Sequence, residues 1–153
     1  MKLSLRGEYA LRALVVLGQA PPTAVVPIQR IASAQNIPKR FLEQILNDLK
    51  AAGLVESRRG VAGGYRLHLP ATQIPLSTVI RSIEGPLAPV SCVSERYYAP
   101  CTCPDEAKCA IRTVMREVRE AIVGVLDGVT VAQLCDRARR LQAGAENLTD
   151  YVI

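Results

Sequence analysis

The stretch "IPKRFLEQILNDLKAAGLVESRRGVAGGYRL" (37–67) decides the fold. In its first half Leu42, Ile45, Leu46 and Leu49 recur at i, i+3, i+4 and i+7, which is one apolar helix face. Pro38 can open that helix, and Gly53 can close it near Ala52 by taking the left-handed conformation a helix end requires. The second half changes period. Tyr65, Leu67 and Leu69 alternate with Arg66 and His68, the pattern of a half-buried strand. Residues 54–69 therefore read as two strands around a basic, glycine-rich tip, "RRGVAGG" (58–64).

Working outward, a short helix is expected at 28–35, with Pro27 at its first position and Ile28, Ile31 and Ala32 on one face. "QNIP" (35–38) is a tight break in which Asn36 can turn left-handed. Helix, tight turn, helix and basic hairpin in that order make a winged helix-turn-helix. A helix at 3–19, with Ala10, Ala13, Leu14 and Leu17 on one face, precedes it and ends before Pro21-Pro22. A helix at 75–86, carrying Leu76, Val79, Ile80 and Ile83, follows it and stops at Gly85-Pro86.

From Glu106 to about Leu126 the spacing predicts a long helix. Ile111, Met115, Val118, Ile122 and Val125 step by 4, 3, 4 and 3, a heptad seam widened by Val114 and Ala121. A winged helix is complete without this rod, so its seam is assigned to a second copy of the chain. Thr130 and Gln133 fit a capping box for a last helix over 131–141, and a mobile tail is expected after it. The expected fold is thus mainly α with a small β-wing: a winged helix-turn-helix plus a long dimerisation helix. The expected parts are a winged helix-turn-helix region (1–86), a cysteine-rich loop (87–105), the dimerisation and terminal helices (106–141) and a C-terminal tail (142–153).

Charge separates the two halves. Residues 1–70 hold ten Lys/Arg against four Asp/Glu, and residues 71–153 hold nine against ten. A basic excess confined to the winged-helix half points to a polyanion, here double-stranded DNA with a pseudo-palindromic operator. Lys39, Arg40, Glu43 and Gln44 lie off the core face near the start of the second helix, where recognition helices meet base edges. Lys2, Arg6 and Tyr9 are placed to reach phosphates. Arg58 and Arg59, beside Gly60, Gly63 and Gly64, suit a wing along the minor groove. No apolar run is long enough to span a membrane. Arg6, Glu8 and Arg12 interrupt the apolar N-terminal stretch, so it reads as an amphipathic helix rather than a signal peptide, and a cytoplasmic location is expected.

Four of the five cysteines fall within "SCVSERYYAPCTCPDEAKCAI" (91–111). Three uses compete. A disulfide framework suits neither an odd count nor a reducing compartment. Zinc sites of all-cysteine type pair short Cys-x-x-Cys knuckles; here the gaps are eight, one and five residues. His68, the lone histidine, sits on the wing strand. An iron–sulfur cluster tolerates such spacing better. Cys135 reads as a small buried hydrophobe beside Leu134 and Ala138.

These residues resemble the Rrf family of bacterial winged-helix regulators, which includes IscR-, NsrR- and CymR-like proteins. The likeness rests on "LRGEYALRAL" (5–14), on 37–67, and on "KCAIRTVMREV" (108–118), and runs to about Leu141. It implies a homodimeric DNA-binding repressor or activator, not an enzyme, whose operator affinity is controlled by an iron–sulfur cluster; a 2Fe–2S centre is expected ahead of a 4Fe–4S one. Cys92, Cys103 and Cys109 match the three cysteines of cluster-bearing members. Cys101 is an additional thiol in a longer loop. IscR-type members place a histidine where Arg112 stands, and NsrR-type members use an acidic residue where Glu8 stands. The remaining ligand is thus a loop thiol or Glu8, which could instead pair with Arg12 one turn on. CymR-type members lack a cluster and have few cysteines. Two alternatives stay open in the same fold, a zinc-bound regulator and a cluster-free thiol switch. A third, of another class, is a thiol redox or metal-carrier protein that uses the winged helix for protein contacts and lacks salt-dependent DNA binding.

Overall fold

Helix α1 (Leu5–Gln19) is the hub of the molecule. It packs against helices α2 (Ile28–Gln35), α3 (Lys39–Ala51), α4 (Leu76–Glu84) and α6 (Val131–Thr149), and against strand β2 (Gly64–Leu67). Strand β1 (Val55–Arg58) pairs antiparallel with β2, Val55 opposite Leu67 and Arg58 opposite Gly64. Helix α5 is Ala110–Asp127. The structure, a computed structural model, describes residues 2–149, with side chains to residue 145.

The helix ends follow from single residues. Asn36 turns left-handed (φ 50°), so that its N–H and that of Ile37 reach back to Ser33 and Ala32. Gly53 (φ 72°) does the same for α3, with bonds from Gly53 to Lys50 and from Leu54 to Leu49. Both are Schellman closures. Leu42, Ile45, Leu46 and Leu49 are all buried, as their spacing requires. They meet Ala10, Ala13, Leu14 and Leu17 of α1 in one core that also takes Val79 from α4 and Val131 from α6.

A third strand-like contact steadies the wing. Val26 and Tyr65 exchange both backbone bonds, at 2.8 and 2.9 Å. Gly64 makes this possible: a Cβ there would lie 2.3 Å from the Val26 carbonyl oxygen. No rotamer relieves a clash between backbones, so Gly64→Ala must push the hairpin off the linker. The expected cost is about 3 kcal/mol, roughly 10 °C in Tm. A thermal melt by circular dichroism checks this, and a variant melting with the parent would refute it.

Several boundaries differ from the sequence reading. Pro27 precedes its helix as an extended N-cap (ψ 143°) rather than opening it. α1 starts at Leu5 because Ser4 caps it, accepting from the Gly7 N–H at 3.1 Å. α4 starts at Leu76, with Pro75 as an extended N-cap (ψ 145°), and ends at Glu84 before Gly85-Pro86 as expected. The wing strands are shorter than 54–69, and Leu69 is exposed. α5 begins four residues later than Glu106, because 106–108 forms a 3-10 turn and Cys109 is the N-cap. α6 continues to Thr149 instead of ending at residue 141. Gly144 does not stop it, since its φ is not positive and the segment holds no proline. The mobile tail expected over 142–153 is therefore helix as far as Thr149; residues 150–153 lie outside the described residues.

Two readings are met to the residue. Thr130 and Gln133 form the capping box, Thr130 N–H to Gln133 Oε1 at 2.9 Å and Gln133 N–H to Thr130 Oγ1 at 3.3 Å. Cys135 is buried against α1, its Sγ 3.6 Å from the Val15 carbonyl.

Candidate nucleic-acid interface and cysteine centre

The first turns of α3 present Lys39, Arg40, Glu43 and Gln44 to solvent. Arg58 and Arg59 lead into the wing tip, also exposed, with Gly60 at φ 109°. Among the described residues none of Lys2, Lys39, Arg40, Arg58 and Arg59 has an acidic partner, so these cations keep their full charge for a ligand. Gly63 and Gly64 have a packing reason of their own. A Cβ at Gly63 would stand 2.4 Å from the Arg58 carbonyl, so both glycines shape the tip that carries the arginines.

The α1 residues are more occupied than the sequence suggested. Arg6 pairs with Asp48 of α3. Tyr9 is half-buried against the core, with the Arg12 guanidinium 5.2 Å from its ring centre. Phe41, which the sequence reading passed over, stands 58% exposed. It walls a cleft of about 350 Å³ with Leu5, Tyr9 and Gln44. Its position off the apolar stripe of α3 was the available signal.

The four loop thiols are free and form a chain of neighbours. Cys103 and Cys109 bring their sulfurs to 3.3 Å. Cys103 also donates towards Cys101, and its thiol is pushed up to about 12, first by that bond and then by its bond to Cys109. Burial, and next the charge of Cys101, raises the thiol of Cys92. Cys109 is shifted the other way: the Arg112 N–H, 3.4 Å from its sulfur, favours the thiolate, and the Cys103 thiol adds to this. The helix cap of α5 is thus also the most readily ionised of the shifted thiols. Among the described residues no three His, Cys, Asp or Glu side chains already stand around one point in a metal's geometry. The nearest approach to one is the 3.3 Å pair, against roughly 3.8 Å for two thiolates on one tetrahedral ion with metal–sulfur bonds of about 2.3 Å. In chemistry the donor set, four free thiols on one loop, fits a thiolate-bound metal or cluster.

Arg112, where a ligating histidine was considered, is a clamp. Its Nε donates to the Cys92 carbonyl at 3.2 Å and stands 3.2 Å from Glu106 Oε1. About two helical turns further on, Arg119 holds the Val93 carbonyl at 2.8 Å and Glu95 at 3.2 Å. Two arginines of α5 therefore fasten the 3-10 turn Ser91–Val93 to that helix. Glu8 faces Arg12 of its own chain at 3.2 Å, and Arg12 also donates to Gln35 at the end of α2.

No residue of α5 is buried. Ile111 (67%), Val114 (51%), Val118 (38%) and Val125 (66%) stay exposed along its length. Among the described residues, no helix is long and apolar enough to cross a membrane.

The sequence profile of the Rrf2 family, described as iron-dependent transcriptional regulator, matches residues 3–137. An rrf2-like HTH-type transcriptional regulator of Rhodobacter capsulatus is 42% identical over 132 residues, covering 83% of this chain and 87% of its own. CymR, the global cysteine regulator of B. subtilis, superposes with a TM-score of 0.75 at 31% identity, over 90% of this chain and 98% of its own. IscR of T. potens gives 0.73 at 27% identity, over 93% and 91%. These relatives are regulators rather than enzymes.

Proposed function

Because the chain belongs to the Rrf2 family of DNA-binding transcriptional regulators, we propose that it works as a cytoplasmic homodimer on a pseudo-palindromic operator, with an affinity set by an iron–sulfur cluster at the cysteine loop. One observation carries the reading. Cys109 caps α5, the helix whose seam residues Ile111, Val118 and Val125 stay exposed among the described residues. A ligand of the centre and the dimer contact thus share one rigid rod.

Cys92, Cys103 and Cys109 would hold the cluster, with the last position filled by Cys101 or by Glu8 of the partner subunit. When bound, the cluster supplies a centre that is lost or changes charge with iron, oxygen or redox state. The chain's own residues do the rest. Arg112 and Arg119 tie the loop to α5, so closure of the loop around a cluster bears on that helix. α5 leans on α4, and α4 packs on α1 and α3, so a shift of the rod bears on the spacing of the two reading heads. Regulation requires that the two loop states differ in operator affinity. Lys39, Arg40, Glu43 and Gln44 read base edges, Arg58 and Arg59 follow the minor groove, and Lys2 with Arg6 and Tyr9 hold phosphates.

The 3.3 Å sulfur pair also supports a second reading, a cluster-free switch in which Cys103 and Cys109 lose two electrons and two protons to a peroxide and form a disulfide. The two readings separate on anaerobically purified protein. Visible charge-transfer bands with matched iron and sulfide, and an operator affinity that differs at least tenfold between loaded and stripped protein, are expected. Log affinity should fall linearly with log salt in the binding state. Protein that stays colourless after anaerobic reconstitution would reject the cluster. Peroxide-sensitive binding in that same sample would favour the thiol switch.

A further inference from the structure

The segment 87–109 carries three carboxylates besides its thiols, Glu95, Asp105 and Glu106, and the last of them has an oxygen without a hydrogen-bond partner. Glu106 lies in the 3-10 turn between Cys103 and Cys109. Its two oxygens are treated differently. Oε2 accepts the Tyr98 hydroxyl at 2.7 Å. Oε1 is sealed from solvent and accepts no hydrogen bond.

The nearest cation does not change this. Arg112 Nε stands 3.2 Å from Oε1. That nitrogen carries a single hydrogen, and it is directed at the Cys92 carbonyl, also 3.2 Å away. Arg112 therefore lends Oε1 charge but no proton. A carboxylate oxygen out of water and without a donor is costly unless an electrophile completes it. The same contact sets Glu106 beside Cys92, whose thiol registers the carboxylate's charge. Arg112 Nε thus bridges the orphan oxygen and the backbone of Cys92, the first thiol of the loop.

We propose that Glu106 is an oxygen ligand of the metal centre, given by the same chain as the thiolates, with Oε1 the ligating atom. The inference rests on the metal-bound reading above and names a donor that reading leaves out. Tyr98 and Arg112 are positioning residues. The phenol occupies Oε2, which leaves Oε1 to bind a metal singly, and outer partners of this kind commonly orient a ligating carboxylate.

The test uses the full chain, stripped of metal and kept anaerobic, titrated with Co²⁺ alone. Cobalt reports its donors directly, because d–d band position and intensity differ between an all-sulfur and a mixed sulfur–oxygen set. Glu106→Gln is expected to shift those bands and to weaken Co²⁺ binding at least tenfold, and Tyr98→Phe to weaken it less. Glu106→Asp, which keeps the carboxylate one methylene shorter, guards against a folding defect: it should bind Co²⁺ with moved bands and restored affinity. Superimposable spectra and equal affinities for the parent and Glu106→Gln overturn the assignment. If iron and sulfide never load while the Co²⁺ bands respond to Glu106→Gln, the cluster reading falls and the ligand stands. If a cluster loads and neither its spectrum nor the Co²⁺ bands respond, the ligand falls and the cluster stands.

Discussion

The double variant Val118→Asp/Ile122→Asp is expected to run as a monomer and to lose operator binding by roughly 10²–10⁴-fold. The reason lies in what α5 does not touch. Its contacts within the chain are with α4 and with the turn at 91–93, and they leave the seam open. A stripe stepping by 4 and 3 residues along about 27 Å of helix matches its own copy in a two-fold pair. Two carboxylates placed there face their own images across the axis and lose water on association, which costs several kcal/mol. DNA affinity follows, because each reading head alone makes half the contacts and loses the effective concentration the dimer supplies. Val118 is exposed and Ile122 only half-buried within one chain, so the fold itself should survive with the parent's circular dichroism and a modest loss of Tm. Sedimentation equilibrium gives the mass, and anisotropy on a labelled operator gives the affinity. A variant that remains dimeric would remove the seam from the interface.

The parts of the fold that were legible in sequence are those set by one residue's own backbone. Asn36 and Gly53 end α2 and α3 by turning left-handed, and few other residue types do this cheaply. The α3 stripe and the Thr130–Gln133 box needed only local spacing. The misplaced start of α5 has a chemical cause. Asp105 and Glu106 look like the acidic first turn of a helix. The cap is instead Cys109, a residue outside the usual capping set, and the loop is one turn longer for it. α6 runs past the expected end at residue 141 and through Gly144, since an isolated glycine costs a helix only about 1 kcal/mol.

The candidate site divides the same way. The thiols announce themselves by composition, and the α3 cations by lying off the apolar face. Glu106, Tyr98 and Arg112 do not, because their meaning lies in a triangle between a turn, a loop and a helix that no spacing rule records. Arg112 could be judged a non-ligand from its type alone. That it holds Cys92 and Glu106 together required the fold.

The Cys109→Ser variant separates the two tasks of one sulfur. Serine is a good N-cap, so its hydroxyl can replace Sγ in accepting the Arg112 N–H, and α5 should keep its start and its stability. It is a poor ligand for soft metals, so the visible bands, and the iron and sulfide with them, should vanish. The pH dependence of metal loading in the parent reports the same chemistry. Cys109 is held towards the thiolate, while Cys103 is pushed up to about 12 and stays protonated through neutral pH. A metal must displace that proton, so affinity rises with pH, by about tenfold per unit for each proton released. In the Cys109→Ser variant the residual affinity, where measurable with Co²⁺, should be weaker at every pH, with no loss of Tm in the metal-free protein. Cys135→Ser is the opposite case. That thiol is buried in the apolar core away from the loop, so a hydroxyl there should lower Tm and leave the bands unchanged. Retention of a full cluster spectrum by the Cys109→Ser protein would show that the cap of α5 takes no part in holding the centre, and would break the link between loop and rod on which the regulatory reading depends.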